Sequence, residues 1–162
     1  MKRLFPLLFA LALPMTVSGC DALGFLAERQ AIARAQFDFA RAELAGADVP
    51  FLTPDSGADL RIVLKVTNPN PLTARLDKLD YDVFLEGTKV GTGTMAQDFA
   101  VDANTSKELT LPVHVPYQGL PEAALKAIQA RQAALRVAGT SHLSTPLGTL
   151  SYPIEVSRTA TF

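Results

Sequence analysis

The chain has 162 residues, with 15 Lys and Arg against 16 Asp and Glu, two His, one Cys and no Trp. A net charge of −1 leaves no basic footprint for a nucleic-acid backbone. A single cysteine excludes an internal disulfide, a multi-cysteine zinc site and a cysteine-ligated iron–sulfur cluster. At 48% hydrophobic residues, the length suits one domain that buries roughly two-thirds of its unfolded surface.

Lys2 and Arg3 precede an apolar stretch over 4–14, LFPLLFALALP, and then Val17-Ser18-Gly19-Cys20. The stretch is too short to span a bilayer. A basic start, a short apolar run and small residues form the pattern of a removable secretory signal. Ser18-Gly19-Cys20 resembles the lipobox of bacterial lipoproteins, which implies removal of 1–19, a diacylated Cys20 thiol and an acylated new N-terminus. An ordinary signal with a chance cysteine, or an uncleaved anchor, is the alternative. One acyl chain binds a bilayer only marginally, whereas two or more anchor stably, so the expected partner is the membrane itself. Asp21 resembles the residue that favours inner-membrane retention in enterobacterial lipoproteins. The expected location is the bacterial cell envelope, lipid-anchored and facing the periplasm, with the inner membrane slightly favoured over the outer.

Residues 21–33 carry Leu23, Leu26 and Ala27 at rough helical spacing and are expected, with Cys20, to form the anchor and tether over 20–33. From Ala35 the pattern turns to strand spacing, with Phe37 and Phe39 alternating with Gln36 and Asp38 and a slip at Ala40; a continuous helix to Leu44 is the alternative over 33–44. Gly46, Pro50, Pro54 and Gly57 punctuate a loop. A strand over 60–67 directs Leu60, Ile62, Leu64 and Val66 one way, with Val63 as the exception, and a strand over 79–86 directs Leu79, Tyr81, Val83 and Leu85. Glu86-Gly87-Thr88-Lys89 places a Gly-X pair in a hairpin, and Gly91 and Gly93 weaken the returning strand over 89–97 or mark a bulge. In the strand over 107–115 Pro112 points outward and cannot donate to a ladder, which predicts an edge. Pro121 and the Glu122–Lys126 pair predict a helix over 121–132. Strands near 134–143 and 149–157 follow, the second with Pro153 outward at another edge. Seven strands with one crossing helix predict a mainly β, two-sheet sandwich of immunoglobulin or fibronectin type III shape over 34–162.

Residues with catalytic chemistry are sparse. His114 falls on the solvent face of its strand. His142 stands near Ser141 and Ser144, but adjacency in sequence is not triad geometry, and no serine sits in a nucleophile-elbow pattern. Asp77, Asp80 and Asp82 lack the Gly and terminal Glu of a calcium loop. The Gly-rich GTKVGTG over 87–93 lies in a hairpin rather than before a helix, where a phosphate cradle belongs. No enzyme activity, metal or cofactor is expected.

The segment LRIVLKVTNPNP over 60–71 is the most informative. A half-apolar strand runs into Asn68-Pro69-Asn70-Pro71, where each proline forces the preceding Asn toward extended geometry and ends the strand; Asn side chains can hold such a loop by bonding to backbone. In order, this turn, the strand pair over 79–93, the strand over 109–115, the helix and the last two strands resemble the group 2 late embryogenesis abundant proteins, built on the WHy domain (water stress and hypersensitive response). The resemblance implies a non-catalytic sandwich associated with desiccation and stress tolerance, in which Asn68, Pro69, Asn70 and Pro71 are structural. Together with Cys20, whose lipobox sets this chain apart from the plant members of that family, and the absence of chemistry, the turn supports a membrane-anchored protectant making weak client contacts through face residues such as Val63 or Phe84. The alternative is a partner- or lipid-binding module that uses exposed edges or a pocket between sheet and helix 121–132.

Overall fold

Alternation of apolar and polar residues decides which strands form, and bulges decide where that alternation changes phase. The structure is a computed structural model that describes Gly24, Leu26, Ala27 and residues 30–50, 52–145 and 148–161. The expectations for residues 1–19, Cys20 and Asp21 lie outside the described residues.

A 3-10 turn at Ile32–Arg34 leads into β1 (Gln36–Ala47), followed by β2 (Gly57–Thr67), β3 (Ala74–Leu76), β4 (Lys78–Leu85), β5 (Thr88–Met95), β6 (Phe99–Val101), β7 (Ser106–Pro116), helix α1 (Glu122–Ala130), β8 (Gln132–Thr145) and β9 (Gly148–Thr161). Every pairing is antiparallel. One sheet has the order β1-β2-β7, another β5-β4-β8-β9, and β3 and β6 form a short pair. The two larger sheets make a β-sandwich in which β1 lies beside β9 and β7 beside β5.

In β1, Phe39 pairs with Leu64 and Arg41 with Val63, so Ala40 is bulged out. A one-residue bulge flips the face that follows it, and the inward set passes from Phe37 and Phe39 to Ala42 and Leu44. The slip expected at Ala40 is this bulge, and the segment is strand rather than the alternative helix. The core is built from Leu60, Ile62, Leu64 and Val66 of β2 against Leu79, Val83 and Leu85 of β4, joined by the inward residues of β7, β8 and β9. Each large aliphatic side chain buried in this way contributes about 1.5–3 kcal/mol.

The seven expected strands correspond to the seven long ones; β3 and β6, three residues each, were not foreseen because alternation cannot be read over so short a span. The hairpin turn is centred on Glu86 and Gly87, both at positive φ (47° and 78°), the signature of a type I′ connection, so it falls one residue earlier than a Gly-X reading puts it. Helix α1 begins after Pro121 and ends at Ala130, where Arg131 turns left-handed at φ 53°. Leu135, which stands at helical spacing from Leu125 and Ile128 in the sequence, belongs to β8. Lys126 and Glu122 pair at 2.6 Å as their i,i+4 spacing requires. Pro112 lies on β7, an outer strand of its sheet, and Pro153 on β9, an outer strand of the other.

Val63 corrects an expectation. It points to the outer face of β2 yet is only 2% exposed, so it cannot serve as a client contact. Arg41 stands opposite it on β1 and reaches across β2 to Glu108 on β7 at 2.7 Å while also bonding Glu43 at 2.7 Å. That register and the bond to Glu108 place the aliphatic stem of Arg41 to cover Val63, as long basic side chains cover apolar surface while their charged ends stay wet. The paired carboxylates raise the Arg41 pKa, and the Arg41 hydrogen bond lowers that of Glu108. Phe84, the other expected contact, is half-buried beneath Arg136, whose guanidinium lies 3.8 Å from the ring centroid.

Candidate functional site

The turn after β2 is built from two buried amides. Asn68 and Asn70 are 0% and 8% exposed, and a polar side chain so deep must find its partners in protein. The Asn68 Nδ2 group donates to the carbonyls of Leu72 (2.8 Å), Val101 (2.9 Å) and Asp102 (3.1 Å). Its Oδ1 accepts from the Asn70 backbone N–H (3.0 Å) and from Asn70 Nδ2 (2.8 Å). Asn70 Nδ2 also donates to the Ala31 carbonyl at 2.9 Å. Backbone bonds complete the joint: Asn68 N–H to Thr105 O at 2.9 Å, and Asn104 N–H to Asn70 O at 3.1 Å, with Asn104 at φ 55°. Pro69 and Pro71 are exposed and have no N–H to satisfy. The two amides therefore tie together the end of β2, the 102–105 turn and the residues that enter the domain. Ala31 and Ile32, just ahead of the expected domain start at 34, are buried in the core. The spacing of 21–33 puts Ala31 on the apolar face of the tether, but no sequence signal places it or Ile32 in the core.

The two histidines sit apart. On the outer face of the three-stranded sheet, His114 Nδ1 is 2.8 Å from Asp59 Oδ1, its cross-strand neighbour. A Cβ on Gly57 would meet the His114 ring at 2.6 Å, so glycine is what allows the ring to lie there. The hydrogen bond to Asp59 is the largest cause raising the His114 pKa, with further support from the Asp55 backbone and Asp48.

On the outer face of the other sheet, His142 does not pair with Ser141 or Ser144. Its Nδ1 is 3.1 Å from Ser151 Oγ and its Nε2 3.1 Å from Asp80 Oδ2. Ser141 instead donates to the Tyr152 carbonyl, and the Ser144 backbone N–H bonds Asp77. Ser151, His142 and Asp80 thus form a row across β9, β8 and β4 on an open sheet face. Hydrogen bonds from Lys78 (2.8 Å) and Thr94 (2.7 Å) hold the Asp80 carboxyl below its ordinary pKa. Asp82 pairs with Lys89 at 2.9 Å. Among the described residues, no three His, Cys, Asp or Glu side chains are grouped so as to hold a metal ion.

The principal concavities are open surface depressions. One, about 480 Å³, lies over Asp80, Asp82, Thr92, Thr94 and Thr140; another, about 350 Å³, lies between Ala27, Arg34, Asn70, Leu72 and Tyr152. Neither is the pocket between sheet and helix that a binding module was expected to use: Ala124, Ala127 and Ile128 of α1 are buried in the core there. The exposed large apolar side chains among the described residues are Val49, Leu52 and Leu72. Val49 and Leu52 lie on the loop between β1 and β2, which is closed by the paired bonds of Asp48 with Gly57 and by Thr53 with Ser56. Leu72 lies at the opposite end of β2, on the Asn turn.

An antiparallel sandwich whose second long strand ends in a buried, mutually bonded Asn pair is the frame that known proteins can be compared with. The family model for late embryogenesis abundant protein (LEA_2) matches residues 63–158, and the chain belongs to that family. Among curated proteins, it is 23% identical over 159 residues to the uncharacterized protein MJ1138 of Methanocaldococcus jannaschii, covering 97% of this chain and 81% of that one. Among solved structures, AT1g01470 from Arabidopsis thaliana is 18% identical with a TM-score of 0.52, covering 76% of this chain and 82% of that one. A candidate late embryogenesis abundant (LEA) protein, At2g46140.1, is also 18% identical with a TM-score of 0.52, over 88% of this chain and 80% of that one. These structural likenesses support the sandwich fold.

Proposed function

We propose that the protein is a membrane-anchored envelope lipoprotein whose WHy-type sandwich, of the group 2 class, protects client proteins or membrane during water loss and related stress, without catalysis. The observation that carries the protective role is the family match across 63–158. The lipobox-like Ser18-Gly19-Cys20 supports the anchor, with acyl chains on Cys20 holding the domain in the envelope and facing the periplasm. With Val63 covered, Val49 and Leu52 (65% and 74% exposed) offer the apolar surface for weak contacts with partly unfolded clients. Single exposed side chains of this kind give weak, unselective contact, which suits a protectant better than a partner-specific module.

Two measurements test the proposal. The full chain, reconstituted in vesicles, is expected to preserve a drying-sensitive enzyme better than an equal mass of an unrelated membrane protein; equal recovery would remove the protective role. Separately, mass spectrometry of the N-terminal peptide is expected to show acyl groups on Cys20, and Cys20→Ser is expected to move the protein out of the membrane fraction. An unacylated peptide with unchanged fractionation would remove the anchor.

A further inference from the structure

The end of the sandwich where the chain enters from Cys20 differs from the opposite end. Ala31 and Ile32 are 5% and 3% exposed, and Asn70 Nδ2 holds the Ala31 carbonyl at 2.9 Å, so the entry point is fixed to the domain. Cys20 and Ala31 are eleven positions apart. That length spans about 16 Å as helix and at most about 40 Å fully extended, and Gly24, Leu26, Ala27, Gln30 and Ala31 are helical. A lipid on Cys20 therefore holds this end within at most about 40 Å of the bilayer, and closer where the tether is helical. The loop carrying Val49 and Leu52 lies one β1 length away, about 37 Å for twelve residues.

At the near end, Leu72 projects from the Asn turn, 43% exposed. It shares the rim of the 350 Å³ depression with Tyr152, half-buried, and Arg34, exposed. An aliphatic tip, an amphipathic aromatic and a cation that can reach phosphate are side chains that sit at a bilayer interface.

We propose that this end is a docking surface for the lipid headgroup region of the bilayer that anchors Cys20, with Leu72 and Tyr152 entering the interface and Arg34 facing phosphate. The proposal rests on the lipoprotein reading. Tethering makes the contact intramolecular, so a high effective concentration replaces intrinsic affinity, and a surface of only three side chains suffices. Docking there directs Val49 and Leu52 away from the bilayer.

The full acylated chain, whose only native cysteine is consumed by lipid, is labelled with an environment-sensitive fluorophore at Leu72→Cys or at Leu52→Cys and reconstituted in vesicles of phosphatidylethanolamine and phosphatidylglycerol containing doxyl-labelled lipid. Both positions are exposed, so both variants should fold. At position 72 the label is expected to shift to the blue and be quenched at least threefold more than at position 52. Adding Arg34→Glu should reduce that quenching by half or more. Equal weak quenching at both positions, stronger quenching at 52, or quenching at 72 only after envelope proteins are added would overturn the proposal, the last by making the occupant a protein. The N-terminal peptide mass separates the two levels: acylated Cys20 with no quenching at 72 defeats the docking alone, whereas an unacylated Cys20 defeats the lipoprotein reading and the docking with it.

Discussion

Asn68 Oδ1 accepts both the backbone and the side-chain N–H of Asn70, so each amide fixes the orientation of the other. Asn68→Ala would leave the carbonyls of Leu72, Val101 and Asp102 and the Asn70 donors without their partner, in a site with 0% exposure. The expected loss is about 3 kcal/mol, read as a lower urea midpoint at unchanged slope. Asn68→Asp should be no milder, because its carboxylate would face three carbonyl oxygens. Asn70→Ala should cost about 1–2 kcal/mol and raise amide exchange at residues 31–34, which its side chain secures. A wild-type midpoint for Asn68→Ala would contradict the structural role given to the turn.

Tyr81 and Gly93 are cross-strand neighbours, and a Cβ on Gly93 would collide with the Tyr81 ring carbons and hydroxyl. The ring passes through this gap so that its hydroxyl donates to the Pro112 carbonyl on the opposite sheet, and burial raises its pKa. Gly93→Ala is expected to destabilise by ~2 kcal/mol, and Tyr81→Phe by about 1 kcal/mol from the stranded carbonyl. In a background of Tyr81→Leu the Gly93→Ala penalty should shrink, a coupling that a double-mutant cycle measures. Strict additivity would mean that the ring does not need the gap.

His114 and Asp59 form a pH-dependent bond on the outer sheet face. The pKa of His114 is raised in the folded state, so its contribution is fully present below the unfolded histidine value, about 6.5, and is lost as pH rises through the folded one. Both side chains are about half exposed or more (47% and 62%), so solvent screening keeps the effect below about 1 kcal/mol. The gap in urea midpoint between wild type and His114→Gln should be wider at pH 5 than at pH 8.5. An equal gap at both would assign His114 a packing role alone.

Arg41 separates coverage from charge. Arg41→Met keeps the stem over Val63 and loses the bridge to Glu108, whereas Arg41→Ala loses both. The methionine variant should unfold nearer to the wild-type midpoint, and added salt should move the wild type toward it. If both variants unfolded together, the stem would have no share in covering Val63.

The strands that alternate cleanly over at least four inward positions, β2, β4 and β7, were legible because one face is core and the other solvent. The phase change at Ala40 was also legible, since the shift from Phe39 to Ala42 shows in the spacing. What was not legible depends on contacts between segments far apart in sequence. Val63 read as exposed because nothing local shows that Arg41 and Glu108, 67 residues apart, meet above it. Gly91 and Gly93 read as weakness, whereas they leave room for Val113 and for the Tyr81 ring. The turn motif itself was visible, but its reach to Ala31 was not, because that bond joins residues 39 apart. His142 drew attention to its sequence neighbours, while the β8–β9 register delivered Ser151.

Any loss of water concentrates a protein until copies press against one another, and a row of open backbone N–H and C=O groups then recruits the next copy into a growing ladder. At Pro112 this chain has no N–H to offer, and its carbonyl is already taken by Tyr81. Across the other seam, Arg158 donates to the Phe39 carbonyl at 3.3 Å. With β7 against β5 and β1 against β9, the backbone groups of Pro112 and the Phe39 carbonyl are closed to a neighbouring copy at these seams.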